Sequence, residues 1–338
     1  MKKTHFIHII LSIFIGASML NNKALSFNGL GNKVNNNNKI SFGICTDAHQ
    51  DLFPKVEERL AEFTEVANKK EVDFIIQLGD FCFPKESNKN FLSIWNSFKG
   101  KNFHVLGNHD MDKSTKEETL EFWGVDETKP YYSFDIHGCH FIVLDPNNIY
   151  KFGQFIPYEN GNYFNEGNRI NYIDTDQLKW LKEDLAKTKN PTILFSHQPM
   201  NRIKNKSEVS KILNNANTHG SKKIIAWFSG HEHKNWHIVK DSINHIQINS
   251  LSYLWVGADY AYEARYSEEM NKQYPVLKMM IPYKDPLYAF VNIDLENKTI
   301  EIEGKSSEFT PPGPEELGIK KDGDFAPSAS IDSRVIFF

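Results

Sequence analysis

Short apolar runs alternate with amphipathic segments along most of the chain. The runs predict strands over residues 40–46, 74–79, 103–107, 132–136, 140–145, 192–196, 223–229, 243–249, 289–294 and 299–304. Between the runs, apolar residues recur at helical spacing and predict three helices, over residues 53–70, 91–98 and 177–186. This alternation of strands and helices is typical of an α/β domain.

The N-terminal segment has a different pattern. Lys2 and Lys3 precede an apolar run over residues 6–20, which is shorter than the roughly 20 residues that a permanent membrane-spanning helix needs. We therefore expect residues 1–26 to be a signal peptide that is cleaved after Ser26, with an uncleaved anchor as the alternative. The protein would then be exported to a periplasm, the cell surface or the medium. Residues 27–38, rich in Asn, would form a polar spacer.

The other end of the chain carries no periodic pattern. Three prolines lie at positions 311, 312 and 314, and residues 322–333 show neither strand nor helix spacing. We expect a domain over residues 39–305 and a C-terminal extension over residues 306–338 that forms a coil.

Composition excludes several classes of protein. The chain has 338 residues, 40% of them hydrophobic and 24% charged, so it can bury a core and is not a disordered chain. Its net charge of −4 provides no chain-wide positive field, and no stable nucleic-acid partner is expected. Three cysteines allow at most one disulfide, so the core must provide the stability. Cys45 lies in a predicted strand and Cys139 directly precedes another, and buried thiols are expected at both positions.

Polar side chains follow five of the predicted strands at the points where these strands end. They are Asp47 and His49, then Asp80, then Asn108, His109 and Asp110, then His197, and finally His231 and His233. In open α/β sheets, ligands bind at the carboxyl ends of the strands, so these segments should meet at one rim.

The chemistry of these side chains favours a metal site. Carboxylates, imidazoles and a carboxamide, with no thiolate, suit divalent ions such as Mn, Fe, Zn or Mg. A mononuclear zinc site uses three or four protein ligands, fewer than the candidates here, so two metal ions fit better than one. The seven candidates are Asp47, His49, Asp80, Asn108, His197, His231 and His233. Asp80 follows a glycine that allows a close turn, and we predict that it bridges the two ions.

The order of these motifs resembles that of the calcineurin-like metallophosphoesterase family. The order is Asp-X-His, Gly-Asp, Gly-Asn-His-Asp, a single His and Gly-His-X-His, and it spans residues 40–233. The resemblance implies a two-sheet β-sandwich flanked by helices, in a four-layer αββα fold. It also implies a dinuclear metal centre and the hydrolysis of phosphate esters by a metal-bridging hydroxide.

Position by position, the resemblance implies a role for each candidate. One metal would take Asp47, His49 and His233, and the other would take Asn108, His197 and His231, with Asp80 shared. His109 would be the catalytic residue that contacts the substrate and assists the leaving group, and Asp110 would orient His109.

At two places the chain departs from the motifs of known subfamilies, and these differences narrow the choice of subfamily. Purple acid phosphatases have a Tyr three residues after the bridging Asp, where this chain has Phe83. Protein Ser/Thr phosphatases have an Asp-Arg pair after the same Asp, which this chain lacks. The likeness is therefore greatest to members that act on small molecules, namely the cyclic-nucleotide phosphodiesterases and the nucleoside-diphosphate-linked hydrolases. We expect a phosphoesterase for phosphate mono- or diesters. The alternative is a non-catalytic exported binding protein that retains a structural dinuclear metal site.

The connection over residues 147–172 is long and aromatic. Its rings could form a stacking wall for a base or an aryl group, or could pack the loop onto the body, and they are Tyr150, Phe152, Phe155, Tyr158, Tyr163 and Phe164. Arg202 is a candidate phosphate contact or a surface residue. A second aromatic stretch, residues 253–266, could line the same cleft.

Overall fold

The computed structural model describes residues 38–125, 130–165, 171–217, 222–320 and 326–338. The predicted signal peptide, and the predicted spacer apart from Asn38, lie outside the described residues. Among the helices that are described, none combines the length and the apolar character needed to cross a membrane.

Sixteen strands and six α-helices are formed within the described ranges. The strands are β1 Lys39–Cys45, β2 Phe74–Gln77, β3 Lys101–His104, β4 Tyr132–Ile136, β5 Cys139–Val143, β6 Asn148–Lys151, β7 Gln154–Pro157, β8 Thr192–Ser196, β9 Ile224–Ser229, β10 Trp236–Lys240, β11 Ile243–Gln247, β12 Tyr253–Trp255, β13 Met280–Pro282, β14 Ala289–Asp294, β15 Thr299–Gly304 and β16 Arg334–Phe337. The helices are α1 Val56–Lys70, α2 Lys89–Asn96, α3 Lys116–Trp123, α4 Thr175–Lys187, α5 Lys206–Ala216 and α6 Glu268–Gln273.

Two six-stranded sheets make up the body of the domain. The first has the order β16-β15-β14-β1-β2-β3, and the second has the order β10-β11-β9-β8-β5-β4. β1, β2 and β3 run parallel in the first sheet, as do β5, β8, β9 and β11 in the second. The carboxyl ends of the parallel strands in each sheet therefore lie along one edge, where the loops that follow can share a site.

Aromatic rings fill the space between the sheets. Phe42 on β1 is fully buried and stacks on Phe74 of β2, with their ring centroids 4.8 Å apart. From the facing sheet, Phe141, Phe195 and Phe228 each meet the Phe42 ring edge-on at 5.8 to 6.2 Å. Edge-to-face contacts of this kind add to the free energy gained from burial, so this cluster ties the two sheets together.

Helices cover the outer face of each sheet. Phe63 of α1 lies between Trp95 of α2 and Phe290 of the first sheet, with both ring centroids 6.1 Å away. On the second sheet, Leu181 of α4 and Leu213 of α5 are buried in one cluster with residues of β5, β8 and β9. The architecture is thus helix, sheet, sheet, helix, which confirms the predicted four-layer fold.

Several elements were absent from the sequence-based prediction. They are α3, α5, α6, β6, β7, β10, β12, β13 and β16. The C-terminal extension was expected to be coil, but it ends in β16, which pairs antiparallel with β15 and buries Ile336. The three cysteines are free and buried, which confirms the expectation for Cys45 and Cys139. The predicted domain boundaries stay predictions.

His140 joins the second sheet to α4 and lies away from the rim. It provides a test of how the stability of the protein depends on pH. Its ring nitrogens lie 3.0 Å from Asp135 and 2.8 Å from Asp184. Burial acts to lower the pKa of His140, but these two carboxylates outweigh burial and raise it above its ordinary value. A raised folded-state pKa stabilises the protein most below the unfolded pKa of about 6.5, and this gain is lost as the pH rises through the folded pKa.

We therefore expect His140→Gln to cost more stability at about pH 6 than at about pH 9. The measurement is the free energy of urea-induced unfolding of both proteins at each pH. Asp184→Asn should show the same trend because it removes the closer carboxylate. A cost that stays constant with pH in both variants would contradict this account.

Candidate active site

The loops that follow five parallel strands are hydrogen-bonded to one another. The backbone nitrogen of Asp47 donates to the oxygen of Gly79 at 3.0 Å, and that of Gly230 donates to the oxygen of His197 at 2.9 Å. The nitrogen of His231 donates to Oδ2 of Asp47 at 3.0 Å, which links the loops of the two sheets. The strand ends of both sheets therefore meet at one rim.

Backbone conformation at this rim is unusual. Five of the predicted ligand residues have a positive φ between 50° and 72°, and they are Asp47, His49, Asp80, His231 and His233. Non-glycine residues adopt this region rarely, at a cost of about 1 to 3 kcal/mol each, and such residues cluster at functional sites. The turns aim these side chains inward at the expense of local stability.

The side chains form two groups with metal-ligand composition. One group is Asp47, His49 and His233, and the other is Asp80, His197 and His231, with the ligand atoms of each group within 4.8 Å of one another. This is the division that the resemblance implied, apart from Asn108. The structure thus brings together the predicted residues, and their roles as metal ligands stay predictions.

Asp80 belongs to the second group but also lies close to the first. Its Oδ2 is 3.1 Å from Nε2 of His197 and 3.6 Å from Nε2 of His49, one histidine from each group. Oδ1 of Asp47 is 3.3 Å from Nε2 of His233 and 3.9 Å from Nε2 of His197. The position of Asp80, close to a histidine of each group, suits a carboxylate shared by two neighbouring ions.

Backbone carbonyls orient two of the imidazoles. Nδ1 of His197 lies 2.8 Å from the oxygen of Leu78, and Nδ1 of His233 lies 2.9 Å from the oxygen of Tyr253. A ring that donates from Nδ1 presents the lone pair of Nε2 to the site, which is the usual support for a metal-binding histidine. His231 is turned the other way, with its Nδ1 3.2 Å from Nε2 of His197.

Burial and neighbouring charged groups shift the pKa values of the histidines and carboxylates of the site. Burial lowers the pKa of His49 and of His231 to about 3 each, so both rings are neutral, as a metal ligand must be. Burial also acts to lower the pKa of His197, but Asp80 and Asp47 outweigh it and raise this pKa to about 9, so near neutral pH this ring holds a proton that a bound cation would have to displace. Burial acts to raise the pKa of Asp47, but His233 and His197 hold it below its ordinary value.

The residues present fit a pair of divalent cations. Oδ1 of Asp47 is buried and has no hydrogen-bond partner within the described part of the chain, which leaves a costly unsatisfied acceptor that a cation would satisfy. Carboxylate oxygens and imidazole nitrogens are the donor set that Mn, Fe and Zn accept.

Asn108 and His109 follow β3 and lie at the same rim. Asn108 is buried, and its Oδ1 accepts from Nε2 of Gln198 at 3.3 Å. The backbone nitrogen of His109 donates to Oδ1 of Asp80 at 2.8 Å, and the ring centroid of His109 is 5.5 Å from that of His49. His109 therefore stands beside the two groups.

The predicted role of Asp110 requires a correction. Its carboxylate accepts from the backbone nitrogens of Asp80, Phe81 and Gly107 at 2.7 to 3.0 Å, so it fixes main chain. The carboxylate that contacts the His109 ring is Asp112, whose Oδ2 is 2.9 Å from Nδ1. Both oxygens of Asp110 are turned to the β2 loop and the start of its own loop, and Asp112 takes the place beside the ring that was predicted for Asp110.

Sequence reasoning missed Asp112 and gave Tyr163 only a general role. Asp112 lies one helical turn beyond His109, and this spacing of three residues was a usable signal. The hydroxyl of Tyr163 lies 3.1 Å from Nδ1 of His109, a contact across 54 residues that local pattern does not reveal.

The aromatic rings of residues 147–172 differ in burial. Tyr158 and Tyr163 are buried and pack the loop onto the body, whereas Phe164 is 45% exposed with its ring centroid 5.9 Å from that of His109. Arg202 forms an ion pair with Glu232, the residue between His231 and His233. In the second aromatic stretch, the ring centroid of Tyr253 is 4.8 Å from that of His233.

A family model described as calcineurin-like phosphoesterase matches residues 40–235. No match was found among curated proteins. Among solved structures, a dimetal phosphatase from Danio rerio is similar, with a TM-score of 0.56 and 13% sequence identity over 80% of this chain and 98% of that chain. At this identity the similarity is one of fold.

Two further solved structures are similar at a lower score. GAP50, described as the anchor in the inner membrane complex of Plasmodium, has a TM-score of 0.47 and 14% identity over 87% of this chain and 89% of that chain. A purple acid phosphatase from yellow lupin (Lupinus luteus) seeds has a TM-score of 0.47 and 12% identity over 87% of this chain and 53% of that chain.

Gly230 provides a test of the packing at the rim. A β-carbon there would overlap Oγ1 of Thr46 and come within 2.7 Å of Oδ2 of Asp47. We expect Gly230→Ala to displace Asp47 and to lower the metal content of the purified protein, measured by mass spectrometry of the metals. Gly313→Ala is the matched control because its β-carbon would meet other atoms at ordinary contact distances of 3.6 Å or more. Equal metal content in the two variants would contradict the proposed packing.

Proposed function

Because the chain belongs to the calcineurin-like phosphoesterase family, we propose that it hydrolyses phosphate mono- or diesters with two divalent metal ions, drawn from Mn, Fe, Zn or Mg. The observation that carries this proposal is the pair of ligand groups, three residues each, that meet at Asp80. When bound, such a pair of ions makes a water molecule nucleophilic near neutral pH and stabilises negative charge on the phosphoryl oxygens.

The protein residues would bind the ions and handle the leaving group. Asp47, His49 and His233 would hold one ion, Asn108, His197 and His231 the other, and Asp80 would be shared. His109 would contact the phosphoryl group or donate a proton to the departing alkoxide through Nε2, because Nδ1 is already occupied by Asp112 and Tyr163. Asp110 would hold the loop that carries Asp80.

We further propose a small-molecule or nucleotide-type substrate. The support is Phe164, a partly exposed ring beside His109 that could stack on a base or an aryl group. Arg202 would contact a phosphate, and more than half of its side chain is exposed even though it is paired with Glu232.

Export of the protein is a separate proposal. It rests on the order of charged, apolar and small residues in the sequence of residues 2–26. N-terminal sequencing of the mature protein should begin after Ser26, and a sequence that begins at Met1 would contradict cleavage.

The proposed reaction can be tested directly. The purified protein, stripped of metal and reloaded with one ion type at a time, should hydrolyse an aryl phosphate or a bis-aryl phosphate. If a correctly folded protein showed no metal-dependent turnover with either ester, the proposal would fail. Vanadate separates an enzyme from the non-catalytic alternative, since it should inhibit and thermally stabilise a protein with open metal positions but not one whose metal cage is closed.

Substitutions should separate metal binding from chemistry. We expect His109→Ala to keep its metal content and to lose about 10²-fold or more in kcat, as removal of a proton-transfer group does. Asp80→Ala should lose metal as well as activity, because both groups lose a shared carboxylate. The control is His237→Ala on β10, which should change neither quantity. Metal loss in His109→Ala would place that ring among the ligands instead.

A further inference from the structure

Tyr163 and Asp112 surround the two residues that follow β3. The Tyr163 side chain is 1% exposed, and its hydroxyl oxygen is 3.3 Å from Nδ2 of Asn108 and 3.1 Å from Nδ1 of His109. The same hydroxyl donates to Oδ1 of Asp112 at 2.5 Å, while Oδ2 of Asp112 is 2.9 Å from Nδ1 of His109. One phenol and one carboxylate thus contact two neighbouring side chains of the rim.

The number of protons on each group determines which group donates in these hydrogen bonds. A carboxylate accepts only, so the single hydroxyl proton of Tyr163 goes to Asp112. The Tyr163 oxygen then accepts from the Nδ2 amide of Asn108, and the single proton on Nδ1 of His109 lies between two acceptors, Oδ2 of Asp112 at 2.9 Å and the Tyr163 oxygen at 3.1 Å. This keeps a proton on Nδ1, so the proton that the imidazolium form of His109 would give to the leaving group is the one on Nε2, and the neutral ring that remains carries its proton on Nδ1. It also turns the amide of Asn108 so that Oδ1 faces Gln198 and not Tyr163.

Ring packing and main-chain hydrogen bonds hold both partners in place. The Tyr163 ring stacks on Tyr158, with centroids 4.5 Å apart, and the hydroxyl of Tyr158 donates to Asn171 at 3.2 Å. The backbone nitrogen of Asp112 donates to the oxygen of His109 at 3.1 Å, which keeps Asp112 within one turn of the ring it contacts. Such support by packing and hydrogen bonds is what fixes the geometry of a reactive side chain.

We propose that Tyr163 and Asp112 are positioning residues that set the ring orientation and tautomer of His109 and the amide orientation of Asn108. The inference rests on the proposed function, in which His109 serves the leaving group. It assigns to the segment over residues 147–172 a part in the reaction step itself, in addition to any contact with substrate.

Kinetics with two esters provide the first test. We expect kcat to fall about tenfold in Tyr163→Phe and about a hundredfold in Asp112→Asn, with KM changed by less than about threefold. The loss should be greater on an alkyl phosphate than on para-nitrophenyl phosphate, because the more basic alkoxide needs a proton from a well-placed donor. Tyr158→Phe is the matched control: it alters the same segment without touching His109 or Asn108 and should retain most of the activity on both esters.

The outcome distinguishes positioning from structural support. Equal losses on the two esters, or losses of the same size in Tyr158→Phe, would mean that the segment supports only the fold and would overturn the inference. Metal content should stay unchanged in Asp112→Asn.

The tautomer of His109 can be read without activity. In zinc-loaded protein with ¹⁵N-labelled histidine, the NMR signals that are missing from His109→Gln identify this ring. At a pH high enough for the ring to be neutral, we expect the proton on Nδ1 in the wild-type protein and a mixture of tautomers in Tyr163→Phe and Asp112→Asn. Unchanged signals in both variants would overturn the inference. Absence of turnover in the wild-type protein would contradict the proposed function alone, since the NMR result does not depend on it.

Discussion

Two carboxylates, those of Asp47 and Asp80, are buried close together, and the architecture of the rim depends on this constraint. Both residues are at most 3% exposed, and like charges can share a buried site only if donors or cations compensate them. Asp47 receives hydrogen bonds from Oγ1 of Thr46 and the nitrogen of His231, and Asp80 receives one from the nitrogen of His109. The oxygens that remain face imidazole nitrogens. Loops from both sheets must therefore converge, and the sheets must be held face to face for them to do so.

Different parts of the domain provide stability and the candidate site: the core between the sheets provides the first and the rim provides the second. The phenylalanine rings around Phe42 fix the distance between the two sheets by apolar packing. The rim, by contrast, contains strained turns and an unsatisfied oxygen of Asp47. Residues in such conformations persist only when the surrounding structure determines them. The rigid inter-sheet core provides that surrounding, because the strands that carry the turns cannot shift without disturbing it.

The sequence was sufficient for the features that depend on local pattern. Fully buried strands such as β8 and β9 read as continuous apolar runs, and the polar residues directly after them could be located to the residue. Elements with a mixed surface were missed: β10 alternates without a strong apolar face, and Val239 in it is 64% exposed. The start of α3 was also missed, although the sequence marks it: Thr115 and Glu118 have the spacing of a capping box and form one in the structure.

The error over Asp110 shows where pattern reasoning ends. In sequence, the residue next to His109 is the natural partner for its ring, but adjacent residues on a helical turn point in different directions, whereas residues three apart share a face. Asp110 accordingly turns inward and collects backbone donors from two loops, and Asp112 stands beside the ring. The two acids therefore have separate functions, one holding the main chain that carries Asp80 and the other holding the side chain of His109. The position of Tyr163 could not be inferred from any local pattern, since it depends on how residues 147–165 fold back over the end of β3.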